Sequence, residues 1–241
     1  MPELEIDRKT TALVVIDLQK GIAGRPTQPH AAQDVVMNAA QLVQAFRKHR
    51  MPVFLVHVVH APETMLKMES DTRFDRPAEP HTAQEVVRNA ALLVQAFRKN
   101  GMPVFLVHVV HAPETMLKLP TDTSFPRPPV LPPDWSEFVP EIAPVPSDVV
   151  IAKKQWGAFY GTELELQLRR RGMDTIVLCG ISTEYGVEST ARFAYEYGFR
   201  QVFAEDAMSS AVAESHHAAV NFILKRMGQV RKTAEILTAI G

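Results

Sequence analysis

The sequence predicts an α/β protein, a parallel sheet covered by helices on both faces. Short β-branched runs alternate along the chain with longer amphipathic stretches, the pattern that specifies such a sheet. Three of those stretches run into a glycine, Gly101, Gly172 and Gly198, each suited to the left-handed position just past a helix. A third observation complicates the count: the stretch 29–79 is written again, nearly verbatim, over 80–130.

Taken in order, the first strand is Leu13 to Asp17, an apolar run that ends in a carboxylate. Val53 to Val59 and Val104 to Val110 are the same run in the two copies, and each follows a helical pattern ending in "VQAFRK". In copy two that helix stops at Asn100-Gly101, and in copy one at His49-Arg50. The proline-rich segment 126–146 excludes a long regular element and reads as an ordered excursion into the next strand, Val149 to Lys153. A helix ending in "LELQLRRR" precedes the strand Thr175 to Gly180, and one ending in "ARFAYEY" precedes Gln201 to Glu205. A helix from about Ala211 to Met227 and a weak strand near Val230 complete the series.

Identity between the copies is roughly three residues in four, and Met51–Lys67 repeats unchanged as Met102–Lys118. Solenoid arrays need at least about three units, so this is a tandem duplication of one helix-strand unit. Without one copy about 190 residues remain, the size of one α/β domain. The whole chain, 1–241, is therefore read as a single domain carrying a surplus unit.

Composition points to a globular protein: 46% hydrophobic, 22% charged and a formal net charge of -1. No basic excess favours nucleic acid, and no apolar run is long enough to span a bilayer. The N-terminal residues carry neither an export nor a transit pattern, which points to the cytoplasm. Cys179 is the single cysteine, so it makes no internal disulfide and offers no metal-ligand spacing.

Chemistry in an open parallel sheet gathers at the carboxyl ends of the strands, and three ends here are chemically loaded. Asp17 closes "ALVVID"; partial desolvation there suits a carboxylate to passing protons, although the same residue could brace the following loop. Lys153 and Lys154 close the Val149 strand, with Trp156, Phe159 and Tyr160 just beyond. A lysine at that rim could hold a carboxylate ionised or stabilise an anion, or could simply be a solvated strand end. After the Thr175 strand, Gly180 to Tyr185 turn into a helix beginning near Gly186, where backbone N–H groups are available to an oxyanion.

Together these segments resemble the isochorismatase-like hydrolases, a family that includes nicotinamidases and other cysteine hydrolases. "VVIDLQ", a Lys four residues before "GAF", "GIST" leading to "VESTAR", and "AEDA" occur in family order. The resemblance implies a three-layer, Rossmann-like fold with strand order 3-2-1-4-5-6, assembled into dimers or higher homo-oligomers. It also implies roles: Asp17 and Lys153 as the working pair, and Ser182 and Gly186 as the oxyanion site around a non-proline cis peptide at Ile181-Ser182. Trp156, Phe159 and Tyr185 would line the substrate.

The departure is at Gly186, where amidase members place the nucleophilic cysteine. Glycine cannot attack a carbonyl, so the covalent route is closed. Cys179, seven residues upstream inside a buried strand, reads as an inert thiol. True isochorismatases also lack that cysteine, and their vinyl-ether hydrolysis needs a proton donor, which makes Asp17 the general acid. The expectation is a cofactor-free hydrolase acting on a small, anionic substrate by Asp/Lys acid-base chemistry. The alternative is an inactive relative that binds a small molecule or a protein partner. Glu184, beside the missing nucleophile, is read as a surface carboxylate, with a role as base for water attack the competing reading.

No metal site is expected. His57 and His60, repeated as His108 and His111, stand three apart on a strand and so face opposite sides. His216 and His217 are read as surface or interface residues. The duplication sets one further condition: a surplus strand inserted between the Asp17 and Lys153 strands would push them apart by about 4.8 Å. One copy is therefore expected to fill the native slot, slightly favouring copy two for its better helix stop, with the other packed outside it or swapped onto a neighbouring subunit.

Overall fold

The structure, a computed structural model, describes residues 4–20, 80–109, 120, 122 and 134–241. Copy one, with the Val53 to Val59 strand, His57 and His60, lies outside them, as does His111. Six parallel strands form one sheet: β1 Thr11–Ile16, β2 Val104–Val109, β3 Val149–Lys153, β4 Thr175–Ile181, β5 Arg200–Ser209 and β6 Gln229–Arg231. Their spatial order is β3-β2-β1-β4-β5-β6, the order the resemblance implied.

The central strands have no polar face. Every residue of β1 and β4 is buried, as expected for a parallel sheet covered on both sides. Edge strand β3 instead alternates, with Ile151 and Lys153 buried and Val150 and Ala152 exposed. That period of two separates the adjacent lysines: Lys153 turns inward and Lys154 lies in solvent.

Helix α1, Ala83–Lys99, comes from copy two and packs on β4, β5 and the C-terminal helix Thr233–Ile240. Thr82 and Glu85 close a capping box at its start. Gly101, at φ 67, follows its end. Copy one has Ala31 and Arg50 at the positions of Thr82 and Gly101. Strand β2 then pairs directly with β1 on one side and with β3 on the other. No further strand separates Asp17's strand from Lys153's.

Beyond Lys20 the described chain resumes at α1, and the part of the proline-rich excursion that is described, 134–148, holds only a short 3-10 turn, Pro140–Ile142. Its far end is fixed by the buried pair Arg98–Asp148, which joins α1 to the entrance of β3. Helix α2 is Leu164–Arg170, and α3, Glu188–Glu196, grows out of a π-helical turn, Thr183–Val187. Helix α4 is Ala213–Ala218, extended by a π segment 219–224.

Strand β5 runs four residues past the expected Glu205 end. Leu178 pairs with Phe203, but Gly180 pairs with Met208, so Ala204 to Ala207 bulge opposite Cys179. The polar pair Glu205-Asp206 marks this bulge, whereas in sequence it reads as a strand end.

Candidate active site

Ile16, Val107 and Ile151 form one row across β1, β2 and β3, with Asp17 one residue past that row and Lys153 two past it. Their strands are two spacings apart, roughly 10 Å. The lysine side chain crosses the end of β2 and places Nζ 2.8 Å from Asp17 Oδ2. The same ammonium donates to the carbonyl of Trp156. Lys153 is 1% exposed and Asp17 4%.

Asp17 has φ 53, a left-handed conformation uncommon for a side-chain-bearing residue, and its N–H donates to Val107 O at 2.8 Å. Next to it, Gly180 has φ 130, and a Cβ there would fall 2.0 Å from Ile16 O. Glycine at 180 thus lets β1 and β4 close up where β1 delivers its carboxylate. Burial raises the Asp17 pKa to about 6, with Lys153 pulling the other way. Asp17 Oδ1 is buried without a hydrogen-bond partner among the described residues.

Gly186 completes the constellation from the π turn. A Cβ on it would lie 3.2 Å from Asp17 Oδ2, 3.4 Å from Lys153 Nζ and 2.8 Å from Ile16 Cγ2. The position that lacks a side chain is therefore the one facing both charged groups. Ser182 follows the cis peptide Ile181-Ser182, and its carbonyl accepts from the N–H groups of Tyr185 and Val187. Trp156 and Tyr185 stack at a tilt, ring centroids 4.9 Å apart, with Trp156 55% exposed. Phe159 does not join them; it is buried and packs on Tyr197 and Phe199.

The model of the isochorismatase domain matches residues 11–80 and again 74–235, the two stretches overlapping at the junction between the copies. The uncharacterized isochorismatase family protein YecD of Escherichia coli O157:H7 is 44% identical over 239 residues, covering 98% of this chain and 100% of its own length. The chain belongs to the isochorismatase family. YwoC of Bacillus subtilis strain 168, an uncharacterized isochorismatase family protein, is 39% identical over 241 residues, with 100% of this chain and 99% of its own covered. A solved isochorismatase family protein from Burkholderia thailandensis superposes with a TM-score of 0.70 at 36% identity, covering 98% of this chain and 97% of that one. The chain is thus a hydrolase of the isochorismatase family, and among its described residues no helix is long and apolar enough to cross a membrane.

Other residues around the Asp17–Lys153 pair were not legible as part of this candidate site. Thr190, inside the family motif "VESTAR", donates from Oγ1 to Gly186 O at 2.6 Å and accepts from Ala158 N at 3.0 Å. It ties the turn to the loop that follows Lys153. Glu184 is not the surface carboxylate expected: it is largely buried, accepts from the hydroxyls of Ser182 and Ser210, and its pKa is raised chiefly by burial. Its spacing from Gly186 shows in sequence; the serine from β5's far end does not. Cys179 is fully buried, and burial pushes its thiol well above the usual range. A thiol in that state is a poor nucleophile.

His216 also departs from the surface reading. It is fully buried, with Nδ1 2.9 Å from Thr183 Oγ1, and its ring lies beside Glu205 and His81. His81, Glu205 and His216 are a set of metal-capable donors within 4.8 Å of one another, found where sequence spacing gave no hint because they come from three separate elements. A cavity of about 390 Å³, lined by Asp7, Thr175, Arg200 and Gln201 among others, opens at the opposite edge of the sheet and touches none of these groups.

Proposed function

We propose that this hydrolase acts on a small anionic substrate by acid-base chemistry of Asp17 and Lys153, with no covalent cysteine intermediate. The observation that carries this reading is the buried Asp17 carboxylate. One of its oxygens is held by Lys153 and the other has no hydrogen-bond partner among the described residues, beside a glycine whose missing Cβ would lie 3.2 Å from the carboxylate and 3.4 Å from the ammonium. With its pKa raised to about 6, Asp17 holds a proton in a useful fraction of molecules near neutrality. Transfer of that proton to a vinyl-ether carbon would generate an oxocarbenium ion that water captures. The water's proton returns to the Asp17 carboxylate and the hemiketal collapses, breaking its C–O bond to release an alcohol and a carbonyl compound, a route that needs no enzyme nucleophile. Lys153 keeps the resulting carboxylate paired and offers a cation to an anionic substrate. The backbone N–H groups of Ser182 and Gly186 are the donors proposed for a substrate oxygen, with Trp156 and Tyr185 as its aromatic wall. Glycine at 186, where amidase members carry the nucleophilic cysteine, supports grouping the chain with the family members that lack it.

The test is turnover of isochorismate and a panel of small amides by wild type and Asp17→Asn. Hydrolysis of the vinyl ether that falls at least about 100-fold in Asp17→Asn supports the proposal. Background turnover in both would overturn it and leave the second reading, a relative that only binds, which the missing nucleophile at Gly186 favours. We further propose a homodimer or larger assembly through α3 and the segment 219–224, which adjoin and leave Phe193, Tyr197 and Phe222 exposed.

A further inference from the structure

We propose that His81, Glu205 and His216 form a binding site for a divalent transition-metal cation, separate from the Asp17–Lys153 pair. The argument starts from Thr183. Its hydroxyl donates to Ser209 O at 3.1 Å, which leaves Oγ1 as the acceptor for His216 Nδ1 at 2.9 Å. The proton of a neutral His216 is thereby fixed on Nδ1, and the Nε2 lone pair faces inward. That Nε2 is fully buried, has no hydrogen-bond partner among the described residues, and lies 3.5 Å from Glu205 Oε1. A lone pair aimed at a carboxylate oxygen is an arrangement that a cation between them resolves.

The rest of the shell fits a first-row metal. Glu205 Oε1 is also 2.6 Å from His81 Nε2, and all three ligand atoms lie within 4.8 Å of one another. Zinc bonds of about 2.0–2.1 Å in a tetrahedron place neighbouring ligand atoms about 3.3 Å apart, so His81 must withdraw by somewhat under 1 Å. Two imidazoles and one carboxylate suit zinc, cobalt or iron better than calcium or magnesium, and leave a fourth position open. The Thr183 hydroxyl behind His216 is the outer hydrogen bond that orients a metal-ligating histidine.

Each ligand comes from a different place: His81 precedes α1, Glu205 sits in the β5 bulge and His216 is on α4. The bulge is what turns Glu205 out of the ladder toward the two rings. Because Thr183 opens the turn that carries Gly186, a bound cation would brace that turn from behind. One group opposes the cation: the Lys232 ammonium pairs with Glu205 Oε2. Its side chain is 54% exposed and can swing into water.

The experiment is titration of chelator-treated, full-length protein with Zn²⁺ by calorimetry, and with Co²⁺ by visible absorption. Wild type is expected to take up one equivalent of Zn²⁺ and to give Co²⁺ ligand-field bands of nitrogen-oxygen coordination. His216→Ala and Glu205→Gln abolish both signals; Thr183→Val weakens binding roughly 10- to 100-fold. Lys232→Ala tightens it, whereas in a purely salt-bridged cluster that change would lower the melting temperature and confer no metal affinity. Should a variant fail to fold by circular dichroism, the Co²⁺ spectrum of wild type and the Lys232→Ala titration still decide the matter. No stoichiometric uptake by wild type, or equal uptake by the folded His216→Ala protein, overturns the proposal.

Discussion

Replacing Gly186 by alanine tests whether the empty position in front of Asp17 and Lys153 is enforced by packing. The new Cβ would stand 2.8 Å from Ile16 Cγ2, against about 3.5–4.0 Å for carbon atoms in contact. Something must move by roughly 0.7 Å or more, and neither side moves easily. Ile16 is fully buried, β-branched and paired on both flanks of β1. The turn is pinned by the Thr190 hydroxyl on Gly186 O and by Val187 N on Ser182 O. Overpacking of this kind costs about 1–3 kcal/mol, or a melting temperature lower by roughly 2–10 °C for a chain of this size.

The assay is thermal unfolding of Gly186→Ala, Ile16→Ala and the double variant. Ile16→Ala removes the clashing Cγ2, so the second substitution should cost less in that background, with a coupling of about 0.5–3 kcal/mol. The Cβ also lies 3.2 Å from Asp17 Oδ2 and 3.4 Å from Lys153 Nζ, so turnover should fall in the folded single variant. A Gly186→Ala protein that melts with wild type, or a strictly additive double variant, would refute the reasoning.

Other expectations concern charge and the repeat. Asp17, raised from 3.8 to about 6, binds its proton more tightly in the native state than unfolded. Its contribution to stability is therefore full below about pH 4 and is lost as pH rises through about 6, a difference of about 3 kcal/mol. Denaturant titrations across that window should show the slope in wild type and lose it in Asp17→Asn. Activity carried by protonated Asp17 should likewise decline as pH rises through about 6, in a kcat/KM profile that Asp17→Asn flattens. Arg98→Ala removes the guanidinium that pairs the Asp148 carboxylate, which keeps a hydrogen bond from the Val145 N–H; with both side chains 0% exposed, the change should destabilise by about 3–5 kcal/mol in chemical denaturation. Deleting 29–79 joins Gln28 to Pro80 just as Gln28 joins Pro29, and should leave a protein whose circular dichroism and melting temperature match the parent's.

Much of the fold could be read because strand length and apolar runs are local signals. Val149–Lys153 was expected and found with the same bounds, and the other described strands differ by a few residues at their ends. The β5 bulge escaped because two consecutive polar residues look the same at a strand end and in a bulge. At the site, Asp17 and Lys153 were legible from motif spacing, and the period of two in β3 explains why Lys153 and not Lys154 turns inward. Phe159 shows the limit: an aromatic near a site motif packs on Phe199 and Tyr197 in the core. His216, Thr190 and the Ser210–Glu184 contact depend on elements far apart in sequence, which local pattern does not report.

The choice between two near-identical copies rests on a handful of residues. Over Met102–Lys118 the copies are the same, so the strand itself carries no preference. The helix ends do. Thr82 accepts from Glu85 N while copy one has Ala31 there, a difference of about 1 kcal/mol. Gly101 takes φ 67, which Arg50 in the same place would adopt at a further 1–2 kcal/mol. Two or three kcal/mol is a factor of roughly 30 to 150 in favour of copy two as the helix and strand beside β1. Transplanting the caps, by Ala31→Thr with Arg50→Gly in copy one and Thr82→Ala with Gly101→Arg in copy two, should reverse that bias. Crosslinking from Cys179-free variants carrying one cysteine on β1 and one on either copy's strand reads the outcome. If the β1 cysteine still captures Val104's strand after the transplant, helix caps do not choose the copy.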